Sequence, residues 1–370
     1  MTVHTPAMER ILPTKSYFSN LDVSGYRVFE SLKIEKFRRV NVIGGKNGVG
    51  KSSLLELLFS LMDRRNVMSP FRSFTFRNVA PGGEIAVRQL FYNQEKDKPV
   101  VVKAGLRDGV ALSMTMSYSA PPPNLSGFQR APGVVASDSS VTFNVQRGLK
   151  VEFTEGSNVV DGQFLLPSRD GFVGATYRSG VTSIPAGVYL SPALKNSPND
   201  LATKVSEIIL NGKHDKLLEV AQRINNDVQK LEVLFQTGAP VVNALMAGGK
   251  YLPVSFLGDG AATLLSIAAS MLWIGPGCLF IDEFEGAVHY SKLQDAWKMI
   301  ISLSRETDCQ VFVVTHSLEC IKSAVAAAQG IGAEMDLQYI RLDRVKERVV
   351  ATPYAVDNLS KAVEMDWEIR

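Results

Sequence analysis

Cysteine is scarce in this sequence, and so is any excess of charge of one sign. The 370 residues include three cysteines, and 40 basic residues nearly balance 37 acidic ones, which leaves a formal net charge of +3. Three cysteines cannot form a disulfide framework, and none has the spacing of a metal ligand. The small net charge argues against a protein that coats a polyanion. We therefore expect reduced thiols and a cytoplasmic location.

An apolar signal-peptide core is also missing from the first residues, MTVHTPAMER. One uncharged run of 21 residues, from Ala261 to Ile281, is long enough to span a bilayer. It contains Gly275, Pro276 and Gly277, however, and such a tripeptide ends a helix. The run therefore predicts a buried helix, a tight turn and a buried strand, and we expect no membrane partner.

Apolar residues make up 45% of the chain, which is enough for a sizeable core, and their patterns divide the chain unevenly. Residues 1–65 and 190–370 alternate strand and helix patterns, which predicts an α/β core with a mainly parallel central sheet. Residues 66–189 contain alternating runs such as VVVKAGL, ALSMTMSY, VTFNVQ and LKVEFTE. These predict an inserted antiparallel β-rich lobe, with a mobile loop near 119–140 that is rich in glycine, proline and serine.

Within the core, residues 190–250 are expected to form a helical subregion. A helical pattern runs over residues 198–236, and its apolar positions recur every three or four residues at Leu217, Ala221, Ile224, Val228 and Leu231. Such a face fits either a short coiled-coil seam or a helix packed on the core. We favour the helix packed on the core.

The strongest motif is GKNGVGKS at residues 45–52, a full match to the phosphate-loop pattern G-x-x-x-x-G-K-[ST]. It follows the strand pattern RRVNVI and precedes a leucine-rich helix, which is the context that phosphate binding requires. Lys51 is predicted to reach the β and γ phosphates of ATP, and the Ser52 hydroxyl to bind Mg²⁺. The predicted nucleotide-binding residues here are Gly45, Lys46, Asn47, Gly48, Val49, Gly50, Lys51, Ser52 and Ser53.

Two apolar strand patterns end in polar residues. CLFIDEFEGAVH ends its strand at Asp282 and Glu283, and QVFVVTHS ends its strand just before His316. Because the carboxyl ends of parallel strands face the ligand crevice, Asp282 is predicted to bind Mg²⁺. The predicted catalytic residues are Glu283, which would orient or deprotonate the attacking water, and His316, which would contact that water or the γ-phosphate. The alternative is a pair of loop carboxylates and a structural histidine.

A glycine-rich turn in VSFLGDGAATLL opens an apolar helix and offers a second anion-binding helix N-terminus. Its predicted nucleotide-contacting residues are Gly258, Asp259 and Gly260. We expect Asp259 to cap its own helix. The alternative is an ordinary turn before a core helix.

The order of these four elements resembles the ATPase head of the ABC superclass, which includes transporter ATPases, SMC-type heads and OLD-family ATPases. DEFEGAVHY, with its Val288-His289 pair, THSLECI and DWEIR are closest to the OLD-like ATPases of bacteria and phages. The resemblance covers residues 20–65 and 185–370. It implies a P-loop NTPase fold of the ABC-head type, ATP and Mg²⁺ as ligands, and a homo-oligomer in which one chain's signature turn closes its partner's ATP site.

The sequence departs from that family pattern in two places. Gly258 stands where the signature motif has a serine, so the hydroxyl that would contact the γ-phosphate is missing. The family's glutamine-loop motif is not evident either, and Gln89 and Gln94 are the candidates for it.

The resemblance leaves more than one function open. OLD proteins proper continue into a Toprim nuclease domain, for which the residues after the expected last core strand, around Leu337 to Leu342, are too few. We therefore expect nuclease or toxin chemistry on a separate effector, controlled by this chain as an ATP-hydrolysing switch, as in two-protein antiphage systems such as PARIS. The alternative is an SMC-like ATPase that acts on DNA in repair or maintenance, so nucleic acid stays open as a partner. A transporter ATPase and a non-hydrolysing binding module are less favoured.

Overall fold

The computed structural model describes residues 18–364, except for 78, 80–82, 108, 123–128, 131–146, 169–170, 179–185, 192–197 and 237. The predicted strand VTFNVQ, most of the loop near 119–140 and the terminal DWEIR lie outside the described residues. The described strands are β1 Phe18–Tyr26, β2 Phe29–Ile34, β3 Val40–Gly45, β4 Val100–Leu106, β5 Ala111–Ser119, β6 Gln129–Arg130, β7 Gly148–Glu155, β8 Asn158–Ser168, β9 Gly171–Arg178, β10 Ala186–Leu190, β11 Val228–Gln236, β12 Ala239–Met246, β13 Tyr251–Pro253, β14 Gly277–Ile281, β15 Cys309–Val314, β16 Leu337–Val345 and β17 Arg348–Ala355.

The α-helices of the same residues range from five to 16 residues in length. They are α1 Lys51–Met62, α2 Arg72–Phe76, α3 Gly83–Arg88, α4 Pro198–Leu210, α5 His214–Ile224, α6 Asp259–Ile274, α7 Leu293–Thr307, α8 Leu318–Gly330 and α9 Val356–Glu364.

The central sheet has the strand order β10-β14-β15-β3-β16-β17, with the first five strands parallel and β17 antiparallel at the edge. Every residue of β3, β14 and β15 is buried. Continuous apolar strands of this kind are covered on both faces, as in parallel α/β sheets. The predicted mainly parallel sheet is therefore confirmed.

The two faces of the central sheet pack against different layers. On one face, Leu279 and Ile281 of β14 belong to a core cluster that includes α4, α5, α6, α7 and α8. On the other face, Cys278 and Phe280 belong to a cluster with α1 and the antiparallel strands. The alternation of side chains along β14 thus joins both layers to one strand.

A second, antiparallel sheet has the order β2-β1-β4-β5-β7-β8-β9-β6. VVVKAGL, ALSMTMSY and LKVEFTE form β4, β5 and β7, as predicted. The sheet also takes in β1 and β2, which come before the phosphate-loop motif in the chain. Gln310 of β15 ties the two sheets together, because its Nε2 donates to the Phe18 carbonyl at 2.9 Å and its Oε1 accepts from the Phe18 N–H at 2.9 Å.

The helix predicted over residues 198–236, and with it a mainly helical 190–250, is wrong beyond Ile224. Asn225 is extended at the end of α5, and residues 228–253 form an antiparallel sheet of β11, β12 and β13. A register shift between Val228 and Lys230 interrupts the alternation of β11, so Val228 and Leu231 are both buried. This bulge produces the three-residue spacing that had suggested a helix.

The uncharged run from Ala261 to Ile281 folds as predicted. It contains most of α6, a turn at Gly275 with φ of 62°, and β14. α6 is buried along most of its length, because α4, α5 and α7 pack around it. None of the described helices combines the length and hydropathy needed to cross a membrane.

Candidate functional site

The phosphate-loop motif connects β3 to α1 in a turn that needs glycine. Gly45 has φ of 131°, and a Cβ there would lie 2.2 Å from the Leu342 carbonyl oxygen. Gly50 has φ of 100°, and its Cβ would lie 2.5 Å from Val28 Cγ2. Gly50 is also the N-cap of α1 and carries no side chain to bond the N–H groups of the first helical turn. The turn therefore presents backbone donors suited to an anion.

Lys51 is held inside this turn. Its ammonium donates to the Gly45 carbonyl at 2.7 Å and to the Lys46 carbonyl at 2.8 Å, and the residue is buried. Burial lowers the pKa of Lys51, while the carboxylates of Asp282 and Glu285 act to raise it. A buried ammonium that donates its described hydrogen bonds to two loop carbonyls fits a place that receives phosphate oxygens.

Ser52 and Asp282 meet across 230 positions of sequence. The Ser52 hydroxyl, in the first turn of α1, donates to Oδ1 of Asp282 at 3.2 Å. Asp282 is the residue that directly follows β14. The two residues predicted to bind Mg²⁺ are thus in contact. Mg²⁺ takes oxygen ligands and is often held by one or two carboxylates together with substrate phosphates. Among the described residues, no group of three or more His, Cys, Asp or Glu side chains could hold a metal alone.

Glu283 follows Asp282 in a left-handed conformation, with φ of 51° and ψ of 58°. It is exposed, and the chain turns there from β14 into a 3₁₀ turn over Phe284–Ala287. A side chain with a Cβ is uncommon in this region, which costs free energy. The strained residue directly follows Asp282 in the chain and carries the exposed carboxylate that the sequence predicted to orient water.

His316 lies exposed two residues beyond β15, and its backbone N–H donates to Glu285 Oε1 at 2.6 Å. The second oxygen of Glu285, Oε2, is buried and has no hydrogen-bond partner among the described residues. Glu285 therefore links the ends of β14 and β15. The sequence interpretation missed this role, and the only signal for it was the position of Glu285 in the acidic run DEFE.

Tyr189 is the second residue that the sequence interpretation missed. It lies in β10, beside β14, and its hydroxyl donates to Asp282 Oδ2 at 3.1 Å. Burial, and then the charge of Asp282, raise the pKa of Tyr189 well above its ordinary value. The pair is 93 positions apart, and AGVYL is an ordinary strand pattern, so no local signal indicated the contact.

The glycine-rich turn lies between a 3₁₀ turn over Val254–Leu257 and α6. Gly258 has φ of 99° and is itself the N-cap of α6. The prediction that Asp259 caps the helix is wrong, because Asp259 is already the first helical residue. Its carboxylate still lies in the first turn, where the helix dipole favours negative charge. A contact of this turn with ATP stays a prediction.

No protein-family model matches the chain. A Helicobacter pylori protein named ATP/GTP phosphatase is 20% identical over 320 residues, which are 81% of this chain and 85% of that protein. The uncharacterized protein MJECL11 of Methanocaldococcus jannaschii is 31% identical over 108 residues, which are 29% of this chain and 93% of that protein. Over this stretch the chain belongs to the same family as MJECL11.

The fold is also that of a solved structure, an SMC head bound to the C-winged helix domain of ScpA. The TM-score is 0.50 at 12% identity, and the match covers 93% of this chain and 99% of that one. The predicted P-loop NTPase fold of the ABC-head type is thus confirmed. The narrower OLD-like assignment stays a prediction.

Proposed function

We propose that the chain binds ATP with Mg²⁺ and hydrolyses it. The observation that carries the proposal is the 3.2 Å contact of Ser52 with Asp282. It lies next to the buried Lys51, in a turn whose conformation requires glycine. These are the parts with which P-loop proteins hold the phosphates and their metal. The similarity to a protein named ATP/GTP phosphatase supports the same chemistry.

Each residue of the site has a role in this proposal. Lys51 and the N–H groups of residues 45–53 bind the phosphates, and Ser52 and Asp282 hold Mg²⁺, which neutralises charge on the phosphate oxygens. Glu283 orients or deprotonates the attacking water, and His316 contacts that water or the γ-phosphate.

Lys51→Ala tests the phosphate site. The change removes a charge-assisted contact worth about 1.5 to 3 kcal/mol, so ATP affinity should fall about 10- to 150-fold in calorimetry. Lys33→Ala is the matched control, because Lys33 is an exposed lysine on β2 whose described ion pair is with exposed Glu35. A folded Lys51→Ala protein with the ATP affinity of the wild type would refute the assignment.

We further propose that two chains associate head to head around ATP, each closing the other's site with residues 258–260. In favour of this, Gly258 and Asp259 are exposed, and Gly258 gives α6 no side-chain cap. The first N–H groups of α6 therefore suit an anion brought by a second chain.

For the chain as a whole, we propose a cytoplasmic switch that controls a separate nuclease or toxin in antiphage defence. The support is the OLD-like pattern DEFEGAVHY and THSLECI, and it is family analogy alone. Purification from the native host with and without Mg-ATP tests it. We expect a nuclease or toxin chain to bind in stoichiometric amount and its retention to change with ATP. A chain that purifies without such a partner under both conditions would contradict the switch.

The second candidate is an SMC-like ATPase that acts on DNA, which the likeness to an SMC head favours. Against it, the longest helix in the described part of the chain is α6 with 16 residues, too short for the coiled coil of such proteins. DNA binding that falls steeply with salt, together with ATP turnover stimulated by DNA, would favour this function over the switch.

A further inference from the structure

Each carboxylate oxygen of Asp282 accepts a hydrogen bond from a different side chain. Ser52 Oγ donates to Oδ1 at 3.2 Å, and Tyr189 Oη donates to Oδ2 at 3.1 Å. Ser52 belongs to the predicted metal site, whereas Tyr189 contacts neither the phosphate loop nor any predicted water-orienting residue by a described hydrogen bond. A carboxylate accepts at about four lone-pair positions, so two donors leave room for a metal ion.

The backbone of Tyr189 is fixed relative to Asp282. β10 and β14 pair in parallel with Tyr189 opposite Phe280 and Leu190 opposite Ile281. Just beyond these pairs, the Asp282 N–H donates to the Leu190 carbonyl at 2.9 Å. The distance between the tyrosine and the carboxylate is therefore set by the strand register.

The ring of Tyr189 is fixed as well. It stacks on Phe76 with a centroid separation of 4.1 Å and an interplanar angle of 4°. It also meets the edge of Phe59, which belongs to α1, the helix that carries Ser52, at 5.7 Å. Aromatic pairs in these arrangements contribute beyond the area they bury. The hydroxyl thus approaches Asp282 from one direction only.

We infer that Tyr189 is a positioning residue, whose hydroxyl holds Asp282 in the rotamer that directs Oδ1 toward Ser52 and the metal. The inference rests on the proposed Mg-ATP site. Partners that orient a metal ligand from behind contribute strongly to metal affinity, and their loss costs about 10- to 100-fold. Tyr189 would act through Asp282 and not by touching ATP.

Tyr189→Phe tests the inference, because it removes the hydroxyl and keeps the ring. The measurement is ATP affinity by calorimetry, once with Mg²⁺ and once with EDTA. The gain in affinity due to Mg²⁺ should fall by ~10-fold or more, while the affinity in EDTA stays at the wild-type value. Tyr177→Phe is the matched control, since it removes another tyrosine hydroxyl that donates to a carboxylate, Glu152, at 2.9 Å in the antiparallel sheet.

A second variant, Phe76→Leu, separates the hydroxyl from the ring packing. It removes the stacked partner and leaves the hydroxyl. The gain in ATP affinity due to Mg²⁺ should therefore fall by a smaller factor than in Tyr189→Phe. A Mg²⁺-dependent gain in affinity that stays at the wild-type value in Tyr189→Phe would overturn the inference, as would equal losses with Mg²⁺ and with EDTA. A wild-type protein that shows no Mg²⁺-dependent ATP binding would instead refute the proposed function.

Discussion

Glu283 combines backbone strain with a proposed chemical role. Its φ of 51° places a residue with a Cβ in the left-handed region, at a cost of roughly 1 to 2 kcal/mol. Nothing about strand packing requires this residue to be glutamate, because it is exposed beyond the end of β14. Such strain commonly marks functional positions, where it is compensated by the surrounding fold.

Substitutions at Glu283 should separate stability from activity. Glu283→Gln should retain ATP binding and lose ~100-fold or more in turnover, the usual scale for removal of a general base. The free energy of unfolding of Glu283→Gly should be about 1 kcal/mol higher than that of Glu283→Ala, because glycine adopts the left-handed region without strain. Steady-state turnover and denaturant unfolding measure the two effects. Wild-type turnover in Glu283→Gln would exclude this residue as the base.

At this scale, the sequence predicts residues that share a local motif. Lys51 and Ser52 are adjacent in one glycine-rich pattern, and Asp282 ends an apolar run, so spacing alone identifies them. Tyr189 and Glu285 act through contacts between neighbouring strands. Such contacts depend on strand order and register, which no single stretch of sequence contains.

The phosphate-loop helix is also anchored at its far end. Two residues beyond α1, Arg64 pairs with Glu155 at 2.6 Å and with Asp161 at 3.2 Å, and Arg64 and Asp161 are both 3% exposed. These carboxylates belong to β7 and β8 of the antiparallel sheet. A buried ion pair of this kind is costly to break, because its partner is left charged and buried.

Arg64→Met should therefore destabilise the fold by about 3 to 5 kcal/mol, measured as the free energy of unfolding in denaturant. The double variant Arg64→Met with Asp161→Asn should recover part of that loss, because no buried carboxylate at position 161 remains unpaired. Lys150→Met is the control on the same sheet, where a half-buried pair with Glu152 should cost under about 1 kcal/mol. Equal losses from Arg64→Met and Lys150→Met would contradict the anchoring role.

Helices and strands were predicted correctly where burial alone explains the apolar pattern of the sequence. The buried strands β14 and β15 are continuous apolar runs bounded by turns, and their type follows from burial on both faces. β11 was assigned to a helix because its bulge places Val228 and Leu231 on one face with a helical spacing. Periodicity records which residues are buried, and a bulged strand and a helix can bury the same positions.

Over the whole molecule, the predicted nucleotide residues lie on different elements: the phosphate loop follows β3, and residues 258–260 are the N-cap and the first residues of α6. Under the proposed head-to-head association, one chain would supply the phosphate loop and the other residues 258–260 of each site. The charge of ATP phosphates bound to one loop then needs donors from the second chain, so association should depend on ATP.

The dimer is tested by combining a variant that holds ATP with one that blocks closure. Glu283→Gln should gain mass in light scattering when Mg-ATP is added, because uncleaved ATP keeps the two chains together.

Gly260→Arg places a bulky cation in the first turn of α6 and should abolish turnover while ATP affinity stays near the wild-type value. Gly248→Arg is its control, since a Cβ added at that turn glycine would have no atom within 4 Å among the described residues. A Glu283→Gln mass that never changes with ATP, together with normal turnover in Gly260→Arg, would rule out the composite site. If the chain is a constitutive oligomer, its mass will not change with ATP. The turnover of Gly260→Arg is then the decisive measurement, because hydrolysis still reports closure of the site.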